Sequence, residues 1–285
     1  MPESEMPEPD MSESGISESE EPPSVRVPDL LLGGRVRLAQ PSQGLRAAID
    51  PVFLAAAVPL TEDGGRVLEL GTGTGAAALC LAARVPKCRV VGLDLQPDLI
   101  AYAQENVRAN GFEGRVEMRA GDLLRPPPDL VPGSFDHVMA NPPYLAAGTA
   151  SLPPHGSRAL AVAEGEANLD DWIRFAVSMV RPRGTITFVH RADRLDDLIA
   201  GFRRRAGDLA LYPLWPRAGV PAKRVLVQVR QGSRAPLRLL AGMALHEADG
   251  RFTVAAEAVL RDGQSVALSA SRLTGERQGP RQGAS

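Results

Sequence analysis

Aromatic side chains are scarce in this chain, at 4% of 285 residues, and cysteines are scarcer still, at two. Cys80 and Cys88 build no disulfide framework of the kind that staples small secreted domains. No Cys-x-x-Cys pair or Cys/His cluster has zinc-ligand spacing, so no metal is expected. Cys80 sits in an apolar stretch and reads as a packed residue, whereas Cys88 reads as a loop residue. There is no uninterrupted run of about 18 apolar residues, so no membrane-spanning helix is expected. The amino terminus has neither the basic start nor the apolar stretch of a secretory signal. The cytoplasm is the expected compartment and a monomer the expected state.

Lysine is nearly missing too: 30 of the 32 basic residues are arginine. The net charge of -2 conceals an uneven distribution. Residues 1–24 carry eight acidic side chains and no basic one. Setting that segment aside leaves 32 basic residues against 26 acidic ones. Residues 181–238 hold 13 basic and 4 acidic residues, which concentrates the excess late in the chain. Such a face suits an anionic partner such as RNA, but it also reads as a solvated surface.

What is present is a 44% apolar content, enough for a full core. Residues 1–28 are rich in Glu, Ser and Pro and read as a disordered acidic tail; residues 264–285 read as a partly disordered tail. Between them, strands alternate with helices. Strands are predicted at Arg66–Leu70, Arg89–Leu93, Arg115–Arg119, Phe135–Ala140 and Thr185–His190, with a final antiparallel pair at Leu209–Trp215 and Arg224–Arg230. Helices are predicted at Thr74–Arg84, Pro97–Asn110, Arg194–Arg205 and, capped by Asn168, at Leu169–Val180. The Arg181–Gly184 segment reads as the turn that closes that last helix. This alternation means an α/β fold: a mostly parallel, seven-stranded sheet with helices on both faces. The segment 29–58 is predicted to form a hairpin of Arg35–Ala39 with Gly44–Ala48, then a helix opened by Asp50 and Pro51. Residues 59–230 form the core, and 231–263 a carboxyl-terminal addition with a helix over Val254–Arg261.

Two segments carry chemistry. The first is the turn Glu69-Leu70-Gly71-Thr72-Gly73-Thr74-Gly75, between a strand and a helix. Gly71 and Gly73 remove side chains that would block a ligand's approach, and the helix start favours an anionic group. Asp94 closes the next strand, where an acidic residue can accept hydrogen bonds from ribose hydroxyls. Gly71, Gly73 and Ala76 also fit a dinucleotide fingerprint, but Glu69 would repel a pyrophosphate while tolerating a cationic ligand. The second segment is Asn141-Pro142-Pro143-Tyr144, at the carboxyl end of the fourth predicted strand. Ligands of open α/β sheets bind at those strand ends.

Together the two segments resemble the S-adenosylmethionine-dependent methyltransferases that modify a planar, amide-like or aromatic nitrogen. The resemblance implies a Rossmann-like fold and S-adenosyl-L-methionine as cofactor, held by Glu69, Gly71, Gly73, Gly75, Asp94 and Asn141. It implies that Asp122, in Gly121-Asp122, contacts the adenine amino group; a loop cap is the other reading. The attacking lone pair of such a nitrogen is delocalised and sluggish. The Asn141 side-chain oxygen and the Pro142 carbonyl can accept from its two N–H groups, favouring a pyramidal nitrogen. Pro142 and Pro143 stiffen the loop. Tyr144 offers a ring for stacking on a flat substrate.

The segment Leu31–Ala57, with Gly33-Gly34-Arg35, Gln40-Pro41, Gly44-Leu45-Arg46 and Asp50-Pro51-Val52-Phe53-Leu54-Ala55, narrows this. It resembles the bacterial tRNA1(Val) adenine-N6 methyltransferase family. Arg158-Ala159-Leu160-Ala161, Leu169-Asp170-Asp171-Trp172 and Pro216-Arg217-Ala218 through Lys223-Arg224-Val225 fit it too. The resemblance implies tRNA as the partner and an adenine N6 as the target. Asn-Pro-Pro-Tyr is shared with the glutamine N5-methyltransferase of release factors and with rRNA guanine N2-methyltransferases. The release-factor enzyme carries a helical domain ahead of its glycine turn, where this sequence offers only about 40 residues once the tail expected to be disordered is set aside. A non-catalytic RNA-binding protein on the same fold is a further alternative. Asp50 reads as a helix cap or as a wall of the substrate pocket. Arg203, Arg204, Arg205, Arg217, Lys223 and Arg224 read as phosphate contacts or as a solvated face. His155 and His190 read as structural.

Overall fold

The computed structural model describes residues 28–42, 49–144 and 166–268. Short apolar runs ending in turn residues form the central strands β3 (Gly65–Leu70), β4 (Cys88–Asp94), β5 (Val116–Ala120), β6 (Phe135–Ala140) and β7 (Val180–Arg191). Between them lie α2 (Ala76–Arg84), α3 (Pro97–Ala109) and α4 (Leu169–Met179), and α5 (Leu195–Arg203) follows. α4 opens on a reciprocal cap: Asn168 accepts from the Asp171 N–H, and Asp171 accepts from the Asn168 N–H. β3 pairs in parallel with β4 on one side and β6 on the other, β4 with β5, and β6 with β7. β9 (Arg224–Gln231) lies antiparallel between β7 and β8 (Ala206–Trp215). These are the seven strands expected. The two-residue strands β10 (Arg238–Leu239) and β11 (Met243–Ala244) add a parallel fringe to β8, making nine.

Helices cover both faces. α1 (Asp50–Ala57), α2, α3 and α6 (Val254–Leu260) pack into one apolar cluster with Val67 of β3; α4 and α5 pack into the other with Leu68 and Leu70. Alternate residues of a strand face opposite sides, which puts Glu69 on the α2 side. Val266 and Leu268 are buried in the α1 cluster. The end of α1 is served by its neighbour: Arg84 of α2 donates to Ala55 O at 3.0 Å and Val58 O at 2.6 Å.

The amino-terminal segment holds a pairing that the sequence did not announce. β2 (Val36–Leu38) pairs with β1 (Asp29–Leu31), upstream of it; Gly44–Ala48, the partner expected for this strand, lies outside the described residues. The turn is Leu32–Gly34, where all three residues have φ between 50° and 94°. Two readings are corrected. Cys88 is the fully buried first residue of β4, not a loop residue. α4 runs directly into β7, and Arg181–Gly184 is a bulge inside that strand: Phe135 pairs with Val180, then His137 with Thr185. The turn chemistry was read correctly but it interrupts a ladder instead of preceding one.

The segment is docked onto α3 by two asparagines. Asn110 pairs with both the N–H (2.9 Å) and the carbonyl (2.7 Å) of Arg37. Asn106 accepts from Ala39 N at 2.8 Å and donates to Ala39 O at 2.9 Å. Positions four apart on a helix lie about 6 Å apart, and positions two apart on a strand about 6.6 Å, so the amides match an extended backbone. Asn106 also donates to Thr74 O, at 3.0 Å. Asn106→Ala strands three backbone groups in a buried place. It is expected to cost about 1–3 kcal/mol, read by urea denaturation with an unchanged m-value.

Candidate active site

β4, β3 and β6 end within one residue of the same level: Leu70 pairs with Leu93 on one side and Ala140 on the other. Gly71 and Asn141, which leave β3 and β6, and Asp94, the last residue of β4, therefore meet at one edge of the sheet. This is where the chain order reverses, since β4 and β5 lie to one side of β3 and β6 and β7 to the other. A cavity of about 560 Å³ opens there, a size suited to a small-molecule ligand. Glu69, Gly71, Gly73, Asp94, Asp122 and Asn141 line it, as do Pro142, Pro143, Tyr144, Asp50 and Arg224. Gly75, Arg217 and Lys223 do not. Gly75 stands just before α2, and Arg217 and Lys223 are exposed around the β8–β9 connection.

The turn is shaped by what presses on it. A side chain on Gly71 would come within 2.7 Å of the Trp172 ring, and its φ is +66°. A side chain on Gly73 would meet nothing within 4 Å, so its backbone is open to a ligand. Asp94 Oδ2 accepts from Gly73 N at 2.8 Å, and Oδ1 accepts from Gln96 N at 2.9 Å. Burial raises the Asp94 carboxyl above its ordinary range. Glu69 is buried, and its Oε2 accepts from Thr72 Oγ1 at 2.7 Å and Ala78 N at 3.0 Å. It braces the turn against α2. Burial, with a smaller contribution from Asp94, pushes its pKa up to about 8. Asp122 shows the loop-cap geometry, accepting from Leu124 N at 2.8 Å and pairing with Arg125, while it also lines the cavity.

Across the cavity, the Asn141 Oδ1 is buried and has no hydrogen-bond partner among the described residues. Trp172 Nε1 is in the same condition, and its residue lines the same cavity. A free acceptor and a free donor in one cavity fit a ligand with both kinds of group. In the sequence Trp172 stands only as a helix residue of the Leu169-Asp170-Asp171-Trp172 stretch, with nothing local to give it a role. The helix-cap reading of Asp50 does not hold: Ile49 is at the cap, and Asp50 turns its carboxylate to Tyr144 and Arg224. Arg205 is not a free cation either, because it grips Asp170 with two nitrogens at 2.8 Å each. His190 supports the loop, with Nε2 3.2 Å from Pro143 O. Burial, then the charge of Arg194, lowers its pKa to about 4, so the ring is neutral near pH 7. The segments around Arg46 and Arg158–Glu164, with His155, lie outside the described residues. Among the described residues no group of three or more His, Cys, Asp or Glu is placed to hold a metal.

Residues 61–204 match the family model described as a methyltransferase domain. The chain belongs to that family. It is an S-adenosylmethionine-dependent methyltransferase. It is 30% identical to the tRNA1(Val) (adenine(37)-N6)-methyltransferase of Porphyromonas gingivalis, over 60% of this chain and 68% of that one. It is 34% identical to the release factor glutamine methyltransferase of Cereibacter sphaeroides, over 55% of this chain and 56% of that one. A solved structure of a predicted O-methyltransferase from Agrobacterium tumefaciens is 26% identical and superposes with a TM-score of 0.63, over 78% of this chain and all of that one. No helix among the described residues of this methyltransferase is long and apolar enough to cross a membrane.

Glu69 makes a pH-dependent prediction. In the unfolded methyltransferase it ionises near its ordinary pKa of 4.5, in the folded one near 8. Between those values the folded state holds a proton that the unfolded state has released, so this group's contribution to stability falls as pH rises from 4.5 to 8, then levels. The limiting slope is about 1.4 kcal/mol per pH unit for one proton. Glu69→Gln keeps an acceptor for Thr72 and Ala78 and is expected to flatten that slope in cofactor-free protein. Chemical denaturation at pH 5, 6, 7 and 8 measures it.

Proposed function

We propose that this protein methylates the exocyclic N6 of an adenine in tRNA. The observation that carries the reading is Asn141 Oδ1, a buried acceptor without a partner, held in the cavity that also contains the glycine turn and Asp94. S-adenosylmethionine, when bound, supplies an electrophilic methyl carbon. Glu69, Gly71, Gly73 and Asp94 hold it, with Gly75 setting the start of α2. Asp94 takes the ribose hydroxyls and Asp122 the adenine end.

The protein's own part at the reacting end is to prepare a nitrogen. Asn141 Oδ1 and the Pro142 carbonyl accept from its two N–H groups and localise the lone pair. They also stabilise the positive charge that develops on it, which is most effective where water is excluded. Pro142 and Pro143 fix the loop geometry. Tyr144 stacks on the target ring. Arg217 and Lys223, both exposed, supply phosphate contacts outside the cavity. A tRNA substrate is supported by the Porphyromonas gingivalis relative and by the cationic late segment, and it places the reaction in the cytoplasm. The release-factor relative supports a second reading, in which the same two acceptors meet the amide of a glutamine.

Incubation with S-adenosylmethionine and tRNA lacking the modification, followed by nucleoside mass spectrometry, is expected to give N6-methyladenosine. Methylglutamine in a release factor, or N2-methylguanosine in rRNA, with unmodified tRNA adenine would overturn the assignment. Asn141→Ala is expected to lower turnover about a hundredfold with little change in cofactor affinity. Asp94→Ala is expected to weaken cofactor binding, measured by calorimetry. A fully active Asn141→Ala enzyme sinks the acceptor model.

A further inference from the structure

Tyr144 is held by side chains from three distant parts of the chain. Its hydroxyl donates to Asp50 Oδ2, in the first turn of α1, at 2.6 Å. The same oxygen accepts from Arg224 Nε, at the start of β9, at 2.9 Å. The Arg224 guanidinium lies over the Tyr144 ring, 4.5 Å from its centroid. His190, from β7, meets the ring edge-on with centroids 5.7 Å apart.

Each contact answers a physical requirement. Asp50 is only 9% exposed, so its carboxylate needs donors, and the phenol and the guanidinium supply them. The planar guanidinium can stack and donate at once, which an ammonium cannot. Arg224 is also committed inward. Nε serves Asp50 and Nη1 donates to Lys223 O at 3.2 Å, which leaves it poorly placed as a phosphate contact. With Arg224 on one face and His190 at the edge, the opposite face of the ring meets no other aromatic ring or cation among the described residues.

We propose that Asp50 and Arg224 are positioning residues that fix the plane of Tyr144, one ring face being filled by Arg224 and the other receiving a flat nucleobase. This rests on the nucleobase reading above. Tyr144 is three residues from Asn141, so a tilt of the ring displaces a stacked base relative to the two acceptors. A misplacement of about 1 Å at a reacting centre can cost about a hundredfold in rate.

The test uses the full chain and its Arg224→Lys, Arg224→Gln, Asp50→Asn and Tyr144→Phe variants. Steady-state methylation of unmodified tRNA is measured beside tRNA affinity over a salt series and S-adenosylhomocysteine binding by calorimetry. Arg224→Lys is expected to lower kcat at least tenfold, with KM, tRNA affinity, salt slope and S-adenosylhomocysteine affinity each within about twofold of wild type. Tyr144→Phe keeps the ring and loses the tie, and is expected to lower kcat by a smaller factor. Arg224→Lys with wild-type kcat overturns the proposal. So does Arg224→Gln with unchanged kcat, weaker tRNA binding and a salt slope reduced by about one, the signature of a phosphate contact. If Asp50→Asn does not fold, Arg224→Lys and Tyr144→Phe carry the test. If wild type yields no N6-methyladenosine, the nucleobase reading fails by itself. Crystal structures of wild type and Arg224→Lys then decide the pair: an unchanged Tyr144 ring plane overturns it.

Discussion

Three adjacent strands stop within one residue of the same level, and the geometry of the cavity follows from that register. Leu70 is paired with Leu93 and with Ala140, so the next residue of each strand enters the same space. Strand periodicity leaves little slack. A slip of one residue would exchange the faces of β3, turning Glu69 out of its contact with α2 and Leu68 away from the α4 cluster. The apolar alternation of β3 therefore specifies the site as well as the core.

The ionisable groups around that space are each controlled by a different device. Glu69 keeps its proton because burial outweighs its two donors. His190 stays neutral because burial and Arg194 both oppose its charge. Asp50 is answered by a phenol and a guanidinium. Asn141 Oδ1 and Trp172 Nε1 are left without partners among the described residues, and unmet polar groups in a dry place are an energetic liability unless a ligand meets them. The cavity is thus arranged to gain from what enters it.

Much of this was legible in the sequence. Parallel strands buried on both faces read as continuous apolar runs, and the helices between them carry proline and asparagine at their starts. Gly71, Gly73, Asp94 and Asn141 were readable because each lies at or just past the end of a strand. Contacts made at long range were not. Asp50 and Arg224 are 174 positions apart, and nothing local distinguishes that aspartate from a helix cap. Trp172 looks like any helix residue until Gly71 is found beneath its ring. The β1–β2 pairing was visible only in part: Gly33-Gly34 is a turn signal, but the docking of Arg37 and Ala39 on α3 is made at long range.

One amide joins the chain's early segment to the glycine turn. Asn106 accepts from the N–H of Ala39 with its oxygen, and its nitrogen donates to the carbonyls of both Ala39 and Thr74. Order in the two is thereby shared, although 35 positions separate them. A guest that steadies the turn also steadies β2, and by reciprocity a loosened β2 weakens the hold on the guest. The early segment is in this sense an outer wall of the cavity, and its fraying and a guest's departure form a single linked equilibrium.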